Sequence, residues 1–132
     1  MITADSSVWI DYFSGRSTVA TQQLDAVLDD SSHDLVLLDV VMMEVLRGFR
    51  FDREWRFAKE AFAALPVQTA GGETLAVKAA SLYRQLRSEG VTVRSSIDLM
   101  VGSWCIEKDC LLIQCDRDFV PMAGHGLQLW SN

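Results

Sequence analysis

The sequence predicts an α/β fold, a sandwich in which helices flank a short, mostly parallel central sheet. Three observations carry this expectation. Leu35-Val36-Leu37-Leu38 and Leu111-Leu112-Ile113 are apolar without alternation, as strands covered on both faces are. Other segments place apolar residues at helical spacing, most clearly Thr74 to Ser88, where Leu75, Ala79, Leu82 and Leu86 form one stripe. Strand-like and helix-like segments also alternate along the chain, which is the order a parallel sheet with helical connections requires. With 132 residues the chain is expected to form a single domain over 1–132, large enough to bury a core without disulfides or a structural metal.

Taken in order, Ile2-Thr3-Ala4 is a short apolar entry strand. Ser6 or Ser7 can cap a helix that runs through Ser14 and stops at Gly15. Ala20, Leu24, Val27 and Leu28 give a second helix from Val19 to Leu28, and the polar stretch Asp29 to His33 is a turn. After the strand Leu35 to Leu38, Asp39 caps a helix from Val40 to about Phe49. Another helix runs from Asp52 to Leu65 and ends at Pro66. Val67-Gln68 is a short strand, Gly71-Gly72 a turn, and the helix Thr74 to Ser88 ends at Gly90. Ser95 or Ser96 caps a helix from Ile97 to Lys108, which leads into the strand Leu111 to Ile113. Cys115 to Gly126 reads as loop, and Leu127-Gln128-Leu129-Trp130 alternates like a final strand.

Composition removes several classes of function. Apolar residues make up 49% and charged residues 23%, which excludes a disordered or collagen-like chain. A net charge of -6 argues against a domain that holds nucleic acid through a general basic surface. It leaves open an enzyme that touches nucleic acid through a few arginines and keeps its acids in the site. The start, Met1-Ile-Thr-Ala-Asp5, has no basic leader, and no apolar run approaches the ~20 residues of a spanning helix. A cytoplasmic protein with no membrane partner is expected. Cys105, Cys110 and Cys115 are odd in number and lack the spacing of a zinc site, so reduced, buried thiols are expected.

The chemistry is carried by the acids. In parallel α/β folds functional groups gather beyond the carboxyl ends of the strands. Asp5 follows the first strand, Glu44 lies in the helix after the second, Asp98 opens the helix after Gly90, and Asp116 follows Leu111 to Cys115. Glu44 and Asp98 sit inside apolar helical segments, Met43-Glu44-Val45-Leu46 and Ile97-Asp98-Leu99-Met100-Val101. There a carboxylate is costly unless paired or bound to a cation. Singly, each is explained as a cap, a turn residue or a solvated side chain; four together are harder to explain that way. Two carboxylates ~6 Å apart repel by ~3 kcal/mol at an effective dielectric near 20. Gathering four therefore calls for a divalent cation or raised pKa values. An oxygen-only donor set without His or Cys selects Mg²⁺, with Mn²⁺ as a substitute. Such a cation activates water and neutralises charge on a phosphodiester.

Asp5-Ser6-Ser7-Val8-Trp9-Ile10-Asp11-Tyr12-Phe13, Glu44-Val45-Leu46-Arg47-Gly48, Arg94-Ser95-Ser96-Ile97-Asp98-Leu99-Met100-Val101 and Cys115-Asp116-Arg117-Asp118-Phe119 together resemble the PIN-domain ribonucleases, specifically the VapC toxins of bacterial type II toxin–antitoxin pairs. The resemblance spans the whole chain, in order and at the usual separations. It implies a PIN-like three-layer sandwich, a Mg²⁺- or Mn²⁺-dependent endoribonuclease, a homodimer, and a cognate VapB-type antitoxin that blocks the acidic site. It matches Asp5, Glu44 and Asp98 to the metal-site acids and Asp116 to the fourth, more variable one. Asp118 is the neighbouring candidate for that fourth place. Ser7 falls at the polar position near the first acid, with Ser6 equally eligible, and Arg94 and Ser96 precede the third acid.

One segment points elsewhere. Asp34-Leu-Val-Leu-Leu-Asp39 looks like the phosphoacceptor strand of a receiver-type signalling domain, with Asp39 as acceptor. The rest of that pattern is missing: Asp5 is followed by two serines rather than an acid, and Lys59, Lys78 and Lys108 all fall in predicted helices. Nine of the 12 cations are arginines, and Arg47, Arg50, Arg53 and Arg56 recur every third residue among Phe49, Phe51, Trp55 and Phe57. Arg47 and Arg50 are candidate RNA contacts, against the plainer reading of a solvated face. Trp9, Tyr12 and Phe13 are expected in the core, with a possible share in a groove for a partner helix. His125, between two glycines, has no catalytic partner in sequence.

Overall fold

A computed structural model of the chain describes residues 1–130. Its strands are β1 (Ile2–Ala4), β2 (Leu37–Leu38), β3 (Val67–Gln68), β4 (Leu111–Ile113) and β5 (Gln128–Leu129). Its helices are α1 (Ser6–Phe13), α2 (Val19–Asp29), α3 (Asp39–Leu46), α4 (Asp52–Ala63), α5 (Glu73–Ser88) and α6 (Ser96–Lys108), and Arg117–His125 forms a 3-10 segment. β4 pairs in parallel with both β1 and β5, and β2 pairs in parallel with β3. A parallel bridge between Ile2 and Leu35 joins the two groups. The Ile2 N–H donates to Asp34 O at 2.8 Å, the Val36 N–H to Ile2 O at 2.9 Å, and the buried Thr3 hydroxyl to Val36 O at 2.8 Å. Across that bridge the strand order is β3-β2-β1-β4-β5.

This order places the site. The chain runs outward from β1 to β3, then returns to the other side of β1 for β4 and β5. Right-handed crossovers therefore put α1 to α4 on one face and α5, α6 and the 3-10 segment on the other. The packing agrees: α1 lies on α2 and α3, and α5 lies on α6 and the 3-10 segment. The reversal falls between β1 and β4, and a crevice opens there beyond the strand ends. Ala4 is in register with Ile113, and the Asp5 N–H donates to Ile113 O at 3.1 Å. The two strands end together, so the residues that follow them face one another. Beneath them the core includes Trp9, set edge-on to Phe62 with ring centres 5.1 Å apart, and Leu37, Leu38, Leu112 and Ile113, all fully buried.

Several expectations are corrected. Asp5, not Ser6 or Ser7, caps α1. The α3 helix stops at Leu46 instead of continuing to Phe49, because Arg47 caps it and the Gly48 N–H turns back to Val45 O at 3.1 Å. Asp39 is the first residue of α3 rather than its cap. Its Oδ1 accepts the Val40 N–H at 2.8 Å and the Ala70 N–H at 2.9 Å, pinning the loop after β3 to the start of α3. The expected loop after β4 is instead the 3-10 segment, and the last strand is shorter than Leu127 to Trp130, although the Trp130 N–H still donates to Leu112 O at 2.8 Å. Cys105 and Cys110 are buried free thiols as expected, but Cys115 is exposed. No helix among the described residues is long and apolar enough to cross a membrane.

Candidate active site

Asp5, Ser6, Ser7, Ile10, Glu44, Ser95, Asp98 and Asp116 line one cavity of about 220 Å³ at the reversal between β1 and β4. All four acids singled out in the sequence are present. They arrive from the end of β1, the second turn of α3, the first turn of α6 and the residue that follows β4 by three. Larger clefts lie along α4 and between α5 and α6, but none of them is lined by these carboxylates.

Each acid is held by its local backbone. Asp5 is 3% exposed, and its Oδ1 accepts the Ser7 N–H and the Ser7 hydroxyl, both at 2.7 Å, and the Val8 N–H at 3.4 Å. One carboxylate oxygen is thus consumed by the helix cap, and the other is left for the cavity. Ser95 caps α6 by accepting the Asp98 N–H at 3.2 Å, which fixes the turn that presents Asp98. Glu44 is steadied by Arg47 at 3.7 Å, one helical turn on. Asp116 Oδ1 accepts the Asp118 N–H at 2.9 Å and caps the 3-10 segment. Asp116 thus both lines the cavity and caps the turn, while Asp118 supplies the N–H that the cap receives. Oxygens of Asp98, Asp116 and Asp118 all lie within 4.8 Å of one another, so Asp118 shares the acidic cluster although it does not line the cavity.

The electrostatics follow from the crowding. Burial pushes the Asp98 carboxyl up to about 7, helped by repulsion from Asp5, Asp116, Glu44 and Asp118. Burial raises Asp5 to about 6, against the lowering effect of its Ser7 and Val8 hydrogen bonds, and Asp116 adds to the rise. A pocket in which carboxyls hold their protons near neutrality is short of positive charge. The donors are all oxygen, and the Asp98, Asp116 and Asp118 oxygens within 4.8 Å of one another make a set that could hold a metal ion.

The remaining candidates divide. Ser7 supports Asp5 directly and touches Cys115 Sγ at 3.1 Å. Arg47 reaches the site through Glu44, whereas Arg50 stacks over the Phe51 ring at 5.5 Å and does not line the cavity. Arg94 lies just outside, on a cleft shared with Tyr83, Arg84 and Met100. His125 bonds Glu89 at 2.9 Å and tethers the 3-10 segment to the end of α5. Asp39, with both its bonds spent on backbone N–H groups, lies away from the acids, and the receiver reading falls with it. Sequence reasoning missed Ile10, which is 46% exposed at the cavity rim. Its signal was present: Ser6, Ser7 and Ile10 share one helical face.

Known proteins are similar to this chain in sequence and in fold. The PIN domain family profile covers residues 2–124. The VapC ribonuclease Mb1587 of Mycobacterium bovis is 26% identical over 123 residues, covering 93% of this chain and 92% of that protein. Ribonuclease VapC11 of Mycobacterium tuberculosis matches to the same extent, 26% over 123 residues. Among solved structures, VapBC from Salmonella typhimurium bound to DNA superposes with a TM-score of 0.78 at 14% identity, covering 98% of each chain. VapBC2 from Rickettsia felis bound to a promoter DNA fragment gives 0.77 at 14% identity, covering 99% of this chain and 100% of the other. These structures share the fold.

Proposed function

The chain belongs to the PIN domain family, and from that premise we propose that it is a divalent-metal-dependent endoribonuclease, the toxin of a toxin–antitoxin pair. The observation that carries the reading is the convergence of Asp5, Glu44, Asp98 and Asp116 in one cavity at the sheet reversal. The relatives called VapC ribonucleases supply the reaction class, and the solved VapBC complexes supply the kind of partner. Asp5, Asp98 and Asp116 would hold Mg²⁺ or Mn²⁺, with Glu44 completing the set and Asp118 at its edge. When bound, the cation supplies Lewis acidity that activates water and offsets charge on the scissile phosphate. The chain's own part is positioning. Ser7 and the α1 cap hold Asp5, Ser95 holds the turn of Asp98, and Arg47 holds Glu44. We further propose a homodimer, a cytoplasmic setting, and inhibition by a VapB-type antitoxin.

The test is direct. Purified protein should cut RNA with Mg²⁺ or Mn²⁺ and stop in EDTA, and Asp98→Asn should be folded but reduced by roughly a hundredfold or more, the loss of several kcal/mol of transition-state stabilisation. Undiminished cleavage in EDTA would falsify the proposal.

A further inference from the structure

The two serines that follow Asp5 are interchangeable as sequence and opposite as structure. Ser7 is committed: its hydroxyl donates to Asp5 Oδ1 at 2.7 Å and contacts Cys115 Sγ at 3.1 Å. Ser6 is more deeply buried, at 6% exposure, and its hydroxyl has no hydrogen-bond partner. Four buried side-chain polar atoms among the described residues share that condition, on Ser6, Trp9, Ser103 and Gln114, and of these residues Ser6 alone lines the acid cavity. A buried hydroxyl without a partner costs about 1–3 kcal/mol. Nothing in the local fold requires a hydroxyl at this place. The α1 cap is supplied by Asp5, and the first residue of a helix accepts any small side chain.

From this we infer that Ser6 is a positioning residue whose hydroxyl is completed by an oxygen of the cavity's occupant, either a water of the hydrated cation or a phosphate oxygen of RNA. The inference rests on the reading of the cavity as a metal-dependent nuclease site and adds a residue to it. The surroundings favour such a partner. Four of the eight residues that line the cavity are carboxylates, which accept hydrogen bonds but offer no donor when ionised, while a serine O–H can donate. The Ser6 Oγ is itself covered, so a phosphate oxygen or cation-borne water entering between Asp5, Asp98 and Asp116 would take this hydroxyl as a neutral donor, beside Ser95, after a rotation of the Ser6 side chain between staggered positions. The arrangement exchanges apo stability for a contact made only when the site is filled.

Ser6→Ala and Ser6→Cys decide the matter, alanine removing the hydroxyl and cysteine keeping its shape with a weak donor. Apo melting temperature, Mn²⁺ affinity from the metal-induced melting shift, and kcat and KM on RNA are measured for each. Both variants should melt no lower than the wild type without metal, because no hydrogen bond is lost, and both should lose about tenfold in function. If the oxygen belongs to the hydrated cation, Mn²⁺ affinity falls. If it belongs to the phosphate, Mn²⁺ affinity is kept and kcat falls at saturating metal. Wild-type Mn²⁺ affinity together with wild-type kcat and KM overturns the inference, and so does an apo melting temperature that drops in both variants. Failure of the wild type itself to respond to Mn²⁺ or to cut RNA would instead sink the underlying nuclease reading.

Discussion

Asp98 makes the acid cavity sensitive to pH in a direction opposite to that of most paired carboxylates. Its folded pKa of about 7, and the value of about 6 for Asp5, stand above the ordinary carboxylate range. The folded state therefore binds protons more tightly than the unfolded chain at these two groups. Their stabilising contribution is complete below about pH 4 and is lost as pH rises through 6 to 7. The apo protein should melt progressively lower between pH 5 and pH 8, and Asp98→Asn should flatten that slope. Because a cation competes with these protons, the Mn²⁺-induced rise in melting temperature should grow over the same interval. A metal shift that is constant from pH 5 to pH 8 contradicts the assignment. Asp116 and Asp118 present a separate choice. Asp116 faces Asp5 and Asp98 across the cavity, and Asn can replace it as a cap while losing the charge. Asp116→Asn should cost about tenfold in cleavage at limiting Mn²⁺ with little change in melting temperature, and Asp118→Asn should cost less. The reverse ranking makes Asp118 the fourth acid.

Helix α6 shows why some elements were legible in the sequence and others were not. Its cap, its start near Ser96 and its end at Lys108 follow from local chemistry, and so does the buried run of β4, since each is written in a few neighbouring residues. The four acids were legible for the same reason: Asp5 and Asp116 follow predicted strands, Asp98 opens a predicted helix, and Glu44 stands out as a carboxylate inside an apolar helical run. The 3-10 segment was not legible, because Gly124, Gly126 and Pro121 read as loop, and what orders it is tertiary. Asp116 caps it, His125 ties it to Glu89, and the fully buried Phe119 and Met122 anchor it in the core. The choice between Ser6 and Ser7 was likewise hidden, because it depends on which hydroxyl meets Asp5. Gly102 records how closely α6 and the 3-10 segment approach, since a Cβ there would lie 2.3 Å from Met122 Sδ. Alanine is favoured over glycine inside a helix by ~1 kcal/mol, while overpacking a core costs ~1–3 kcal/mol. With Met122 fully buried, the second effect should win. Gly102→Ala should lower the melting temperature and, by shifting the segment that carries Asp116 and Asp118, weaken Mn²⁺ binding as well. A stabilised variant with unchanged Mn²⁺ affinity would show that Met122 moves aside freely.

The molecule as a whole carries a net charge of -6 and is proposed to act on a polyanion, so its other contacts have to be found where apolar surface and arginine coincide. That place is the outer face of α4. Trp9, expected either in the core or in a partner groove, is 2% exposed and belongs to the core, whereas Phe57 is 67% exposed and Phe51 59%. Phe13, Phe49 and Phe57 line a cleft of about 420 Å³ with Arg53, Arg56, Glu54 and Glu60 around it. Aromatic and arginine side chains are the types that carry most of the energy in protein interfaces. The acid cavity, by contrast, offers Ile10 as its exposed apolar contact. A partner that inhibits the enzyme and binds stably would then gain its affinity on α4 and need only reach the carboxylates from there. Phe57→Ser should accordingly weaken binding of the proposed VapB-type antitoxin by about tenfold or more, a typical hot-spot loss. Free Phe57→Ser should cut RNA at the wild-type rate and melt near the wild-type temperature, since its ring contributes little buried area. Phe62→Ala, which empties a fully buried site against Trp9, should instead destabilise the fold by about 3–5 kcal/mol. If Phe57→Ser keeps its affinity for the proposed antitoxin but converts a dimer into a monomer in sedimentation, the α4 face belongs to the second copy of the chain, and the antitoxin must bind elsewhere.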